Sequence, residues 1–142
     1  MKIKLAFLTL FVFLSLGKNE PEGWELFENV KFTPKYFEEV DAYFDVPTFD
    51  PGLLAMEDKE VVLSGYFIPI EVDTIFVLSA FPYSSCFFCG GAGPESVAEI
   101  RMDQVPDFLV PDAFVKVKGT LKLNNSNIDY MNFILRESQF IK

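Results

Sequence analysis

Phe114-Val115-Lys116-Val117-Lys118-Gly119-Thr120-Leu121-Lys122-Leu123 decides the fold. In an extended chain Val115, Val117, Leu121 and Leu123 fall on one side and Lys116, Lys118, Thr120 and Lys122 on the other. That is the period of a strand with one face in a core and one in water. Gly119 interrupts the apolar side, and a glycine inside a strand marks a bulge or a tight bend. The lysines read as protection of an exposed edge against pairing with another chain, not as a binding stripe.

Outward from this strand the same punctuation recurs. Asn124-Asn125-Ser126-Asn127 is a turn, because these side chains bond locally and tolerate left-handed backbone. Ile128 to Leu135 then returns as the last strand, and the tail ends in Phe140-Ile141. Upstream, Val105 to Val110 is fenced by Pro106 and Pro111 and reads as a connector with one helical turn. In Val97 to Met102, Ala98, Ile100 and Met102 alternate with Val97, Glu99 and Arg101, which favours a strand; a helix opened by Pro94 competes with it. Thr74 to Ser79 is a short buried strand behind a turn at Val72-Asp73. Glu60 to Ile70 alternates Val61, Leu63 and Phe67 with Val62, Tyr66 and Ile68, carries Gly65 in its middle and is closed by Pro69. Five such strands with bending glycines predict a mainly all-β chain, a small five-stranded Greek-key barrel of the oligonucleotide/oligosaccharide-binding (OB) type. A β-sandwich is the alternative.

Ahead of the barrel, residues 18–58 form a lead-in. Trp24, Phe27, Phe32, Tyr36, Phe37, Tyr43, Phe44 and Phe49 are spaced too irregularly for one helix, and core packing is their expected role, over an open face of the barrel. Thr33-Pro34 carries the signature of a short helical turn, with Thr33 as N-cap and Pro34 at the first position, running through Glu38 and Glu39. Residues 1–17 combine Lys2 and Lys4, an apolar run from Leu5 to Leu16, and the small-residue site Ser15-Leu16-Gly17. They read as a cleaved secretory signal that leaves no membrane span in the mature chain. The protein is expected in the periplasm or outside a bacterium, with residues 59–142 as the barrel domain.

The whole chain carries a net charge of −9, and loss of Lys2 and Lys4 makes the mature part more acidic still. Such a surface repels phosphate backbones, which argues against nucleic-acid binding even on an OB-type barrel. The chain has no histidine, so a Ser-His or Cys-His nucleophile is excluded, and no carboxylate pair stands out by spacing.

Both cysteines of the protein lie in Cys86-Phe87-Phe88-Cys89-Gly90-Gly91-Ala92-Gly93-Pro94-Glu95. Glycines and proline make this a loop, with Gly90, Gly91, Gly93 and Pro94 as its structural residues. The pair supports three uses. As a metal site, Cys86 and Cys89 would be thiolates with glycine amides aimed at sulfur, and Glu95 is the candidate further ligand; zinc asks for four donors, whereas Cu(I) is content with two thiolates. As a redox pair, the cysteines lack the βαβ setting of thioredoxin-like enzymes. As a structural element, they pin the loop across the barrel mouth. Tyr83, Phe87 and Phe88, with Tyr66 and Phe81, are candidates for an aromatic binding rim, although buried core is the expected fate of most of them.

The lead-in beginning at Trp24, the motif Val62-Leu63-Ser64-Gly65-Tyr66-Phe67-Ile68-Pro69 and the loop Cys86 to Val97 together resemble a family of small exported bacterial proteins of unassigned function. The resemblance implies an OB-like barrel. Because some relatives sit beside transporter components linked to metal supply, it also implies a metal transporter component or another exported protein as partner, in line with the zinc or copper that the thiol pair itself allows. Many relatives carry a cysteine, a histidine two positions on and then prolines. Here Cys86 matches that cysteine, Phe88 stands in the histidine's place, Cys89 follows, and glycines replace the prolines.

Overall fold

The computed structural model describes residues 20–70, 76–104, 106–107 and 109–142. The expected signal at 1–17, the turn at Val72-Asp73, the first residues of the strand expected from Thr74, and Val105 and Phe108 of the connector lie outside these residues. Among the described residues no helix is long and apolar enough to cross a membrane.

The lead-in contains a β-hairpin where a helical turn was expected at Thr33-Pro34. Strand β1 (Lys31–Phe37) pairs antiparallel with β2 (Ala42–Thr48) in unbroken register, from Lys31↔Thr48 to Phe37↔Ala42. Cross-strand rings hold it: Tyr36 to Tyr43 at 5.1 Å and Phe37 to Phe44 at 5.7 Å between centroids. Aromatic pairs of this kind contribute about 0.2–1 kcal/mol each in a pleated setting, enough together to outweigh one N-cap signature. The Tyr36 hydroxyl donates to Asp41, whose left-handed backbone (φ 51°) turns the chain between the strands. A single helical turn, α1 (Pro51–Leu54), follows; Asp50 caps it by accepting from the amides of Gly52 at 2.7 Å and Leu53 at 3.0 Å.

The remaining strands are β3 (Glu60–Pro69), β4 (Phe76–Ser79), β5 (Val97–Ile100), β6 (Phe114–Leu123) and β7 (Phe133–Ile141). They close into a five-stranded barrel in the order β3-β4-β5-β7-β6, with β6 returning to β3. All neighbours are antiparallel except β5 and β7, which run parallel at Glu99↔Ile134 and Ile100↔Leu135. This is the expected OB-type barrel. Alternation sorts the side chains as the sequence implies: Val61, Leu63, Phe67, Leu78, Ile100, Val117, Leu121 and Leu135 fill the interior. Ile68, Val77 and Val97 form a second, smaller cluster on the outside.

Gly65 stays in regular register opposite Val115, so it is not a bulge. A β-carbon there would collide with the carbonyl oxygen of Ser79, and the glycine allows β3 and β4 to close the wall tightly. Gly119 does mark a bulge: the β6–β7 register shifts between Lys118 and Thr120. The irregular residues sit in β7, where Glu137 is left-handed (φ 52°) and the Ser138 amide donates to the Arg101 carbonyl at 2.9 Å.

Two expectations about the last strands need correction. Ile128 to Asn132 is loop, and β7 begins at Phe133 and runs through Phe140-Ile141. Asn124 holds the loop, its amide nitrogen reaching the carbonyls of Asn127, Tyr130 and Met131, and its side-chain oxygen accepting from the amides of Ser126 and Asn127. In addition, β6 is not an edge, since both its sides are paired. Its lysines bind acids of the lead-in and of the entry to β3: Lys116 to Glu22 at 2.7 Å, Lys118 to Glu20 at 3.3 Å and Glu60 at 3.4 Å, and Lys122 to Asp58 at 2.9 Å.

The lead-in covers an end of the barrel, as expected for part of its aromatics. Phe27 is fully buried and stacks on Phe133 at 4.1 Å, Phe49 approaches the same ring, and the Trp24 indole donates to the Ser64 carbonyl at 2.9 Å. Pro21 and Gly23 bond the main chain of Val62, sealing β3 ahead of the point where β4 joins it. Tyr36, Tyr43 and Phe44, by contrast, are exposed.

Candidate functional site

In OB-type barrels the outer face of the second and third strands, with the loops after the first and fourth, forms the ligand platform. Here those strands are β4 and β5, and of the two loops the one from Asn124 to Asn132 lies wholly within the described residues. On β5, Ala98 and Ile100 point into the barrel, while Val97 and Glu99 point out. Both outward side chains are nonetheless buried, because other elements rise around them.

Those elements enclose a groove of about 480 Å³. Its floor is Val97 and Glu99, one wall is the run Tyr43 to Pro47 of β2 together with Phe37, and the opposite wall is the loop 125–132. Phe87 and Pro94 of the cysteine loop and Ile70 close its end. Glu99 is the buried polar group of the floor. It accepts from Arg101 Nε at 2.6 Å and from the Met131 amide at 3.2 Å, and the Arg101 guanidinium lies 4.6 Å over the Tyr130 ring. The pair therefore fixes loop 125–132 against β5 and leaves the carboxylate satisfied, as burial requires.

The cysteine loop separates this groove from a second one of about 630 Å³, lined by Tyr83, Phe88, Ile68 to Ile70, Pro111 and Asp112. The Tyr83 amide donates to Asp112 Oδ1 at 2.8 Å, which ties the loop to the approach to β6. The aromatic rim is thus divided: Phe87 faces one groove, Tyr83 and Phe88 the other, with the Phe87 and Phe88 rings edge to face at 5.4 Å. Phe81, Tyr83, Phe87 and Phe88 are exposed, contrary to the expectation that most of these rings join the core; Tyr66 is half-buried against Phe114.

Within the loop, Pro82 and Pro94 each lead a single 3-10 turn, and a third turn spans Phe87–Cys89. Gly90 ends that turn in left-handed backbone (φ 74°), and Gly91 packs so closely on the Ser85 main chain that a β-carbon would not fit. The amides of Cys89 and Gly91 donate to the Cys86 carbonyl, each at 3.2 Å, and that of Gly90 to the Phe87 carbonyl at 3.0 Å. Gly90 and Gly91 therefore spend their amides on carbonyl oxygens, not on sulfur as a zinc knuckle would.

Cys86 is buried and Cys89 exposed, and both thiols are free. They lie side by side. Partial burial, the neighbouring Cys86 sulfur and a hydrogen bond with it push the Cys89 thiol above its ordinary pKa, the reverse of the lowering expected from a glycine nest. Glu95 is half-buried with its carboxylate turned over Gly93, and among the described residues no three His, Cys, Asp or Glu side chains are grouped to hold a metal ion. Cys86, Cys89 and Glu95 are thus not brought together as one ligand set.

The groove floor and its β2 wall went unread in the sequence. The signal for Glu99 was present: one acid in Val97-Ala98-Glu99-Ile100, with Arg101 two positions on, is an ion pair on one face of a strand.

No family model matches the sequence, and no curated protein matches it. Among solved structures, the chain is similar to a DUF3299 family protein from Pseudomonas aeruginosa PAO1, with a TM-score of 0.52 and 13% sequence identity, over 87% of this chain and 97% of that one. At that identity the likeness is one of fold, and it places the chain beside another small barrel protein over almost the full length of both.

Proposed function

We propose that this chain is an exported, non-catalytic binding module that holds its ligand in the groove over the outer face of β5. The observation that carries the proposal is the position of the groove: it lies on the β5 side of the OB-type ligand platform, against the loop 125–132, and the exposed aromatics Tyr43, Phe44, Phe87 and Tyr130 stand around it. Aromatic faces and amide-bearing loops suit peptides and saccharides, whereas the net charge of −9 disfavours nucleic acid. The cysteine loop acts as a wall between two grooves. Its raised Cys89 thiol leaves less of the thiolate that disulfide exchange requires.

A soft-metal role is the second reading, and the adjacency of the two thiols favours it. The donor set does not fit zinc, for which two further ligands would be needed, but two thiolates fit Cu(I). A metal transporter component or another exported protein would then be the partner.

The test of the groove is methyl NMR of the chain with cellohexaose and with short peptides. Binding moves the methyl signals of Val97 and Met131 and leaves those of Leu63 and Leu121, inside the barrel, in place. If no probe moves Val97 and Met131 while native mass spectrometry finds copper retained by the protein and lost in a Cys86→Ser/Cys89→Ser variant, the metal reading replaces it.

A further inference from the structure

Among the described residues strand β2 has a partner on one side only, since the hairpin is a two-stranded sheet. The wall it gives the groove is a run of consecutive residues, Tyr43 to Pro47. Successive side chains of a strand point to opposite faces, so a groove that touches all of them runs along the strand's edge rather than over one face.

Proline shows which main-chain groups that edge presents. In an antiparallel pair, directly opposed residues alternate between exchanging both hydrogen bonds and exchanging none. Pro34 and Pro47 have no N–H to exchange, and the pairs Pro34↔Asp45 and Phe32↔Pro47 fall on the same alternate set, together with Tyr36↔Tyr43. These are the non-hydrogen-bonded pairs, in keeping with the Tyr36 and Tyr43 rings in contact at 5.1 Å. Tyr43 and Asp45 therefore turn both N–H and C=O away from β1, and Pro47 its C=O. The opposite edge of the hairpin is blunted at its centre by Pro34. The pairing-competent edge is the one that lines the groove.

Charge selects the occupant. Asp45 and Asp129 stand on the two walls and no lysine or arginine is among the described lining residues, while Glu99 is already matched by Arg101. We propose that the groove takes an extended, basic polypeptide segment of a partner protein, which adds as a third strand to the edge of β2. This rests on the groove being the ligand site, and specifies how it is used. Main-chain bonds to Tyr43 and Asp45 supply affinity, and alternate side chains of the segment meet Val97 and the aromatic wall on one side and solvent on the other.

The experiment is amide NMR of the 15N-labelled chain with the peptide acetyl-Lys-Val-Lys-Val-Lys-Val-amide. Controls are the same peptide N-methylated at alternate residues and its glutamate counterpart. The lysine peptide shifts the Tyr43 and Asp45 amides and slows their hydrogen exchange; both control peptides bind at least about tenfold more weakly. Tyr43→Pro, which removes an N–H directed away from β1, has the same tenfold effect while the Val46 amide signal shows the hairpin intact. Equal binding of the N-methylated peptide overturns the proposal, whatever the variant does, and so does the absence of shifts at peptide concentrations of about 1 mM. If cellohexaose moves Val97 and Met131 but the lysine peptide leaves Tyr43 and Asp45 unmoved, strand addition is wrong and the groove reading stands; if neither probe moves any of these signals, both fall.

Discussion

Strands β6 and β2 both carry charged and apolar residues, yet they are used in opposite ways. β6 has a neighbour on each side, and its lysines are matched by Glu20, Glu22, Glu57, Asp58 and Glu60. Among the described residues β2 has one neighbour, carries rings exposed at 72% for Tyr43 and 40% for Phe44, and turns main-chain groups toward a groove. A charged strand face is therefore not by itself the mark of an edge. In β6 the lysines tether the lead-in across a closed wall, whereas edge protection in the hairpin falls to Pro34.

The largest effect should come from breaking the closed side. Phe27 lies fully buried on Phe133, so Phe27→Ala removes a stacked ring from the barrel end and should cost about 3–5 kcal/mol, read as a lowered denaturant midpoint followed by Trp24 fluorescence. Tyr43→Ala in the hairpin removes only the pairing with Tyr36 and should change the same midpoint by no more than about 1 kcal/mol. Equal losses at the two sites would mean that the hairpin belongs to the cooperative core.

Gly65→Ala acts on the same wall from the backbone. The added methyl meets the Ser79 carbonyl, a main-chain atom that points across to β3, so β3 and β4 must part. The expected destabilisation is about 1–3 kcal/mol. The β4 amides should lose hydrogen-exchange protection before those of β1 and β2.

The cysteine loop lies between the two regimes. Cys86 is fully buried while Cys89 is exposed. Placing a hydroxyl at the buried position should cost about 1–3 kcal/mol in Cys86→Ser, and Cys89→Ser should stay within about 0.5 kcal/mol. Alkylation with iodoacetamide should modify Cys89 first, and more slowly at neutral pH than an ordinary exposed thiol, because its pKa is raised. Faster labelling of Cys86 would show that the loop opens.

What the sequence made legible follows the same division. Val61, Leu63 and Phe67 in β3 and Val117 and Leu121 in β6 obey a period of two with no competing signal, and their strands and the outward-facing Ile68 could be read directly, whereas closure into a barrel competed with a β-sandwich. The hairpin could not, because Thr33-Pro34 imitates a helix start and the rings that decide for a strand, Tyr36 with Tyr43 and Phe37 with Phe44, meet only once the chain has turned at Asp41. Residues 128–132 look apolar enough for a strand, but Asn124 binds their carbonyls from outside the segment. Cys86 and Cys89 were visible as a pair, while the groove beside them depends on Glu99, Tyr43 and Asn127, which are distant in sequence.

The smallest effect concerns the lysine tether. Lys118 is raised above its ordinary pKa, first by the hydrogen bond to Glu20, and Lys122 first by the one to Asp58. A cation whose pKa is higher in the folded than in the unfolded chain contributes stability that is complete below the unfolded value, about 10.4, and is lost as pH rises through the folded one. The tether should accordingly be intact at neutral pH and released only in strong alkali. Because these pairs are partly exposed and screened by salt, release should loosen the lead-in rather than unfold the barrel. Trp24 fluorescence between about pH 8 and pH 12 reports it, since the indole sits on Ser64 beside the tethered residues. A Lys118→Gln/Lys122→Gln variant should shift the transition to lower pH or flatten it, and more so at low ionic strength. An unchanged curve would mean that Phe27 and Trp24 hold the lead-in by packing alone, and that the lysine face of β6 adds nothing to the closed side of the molecule.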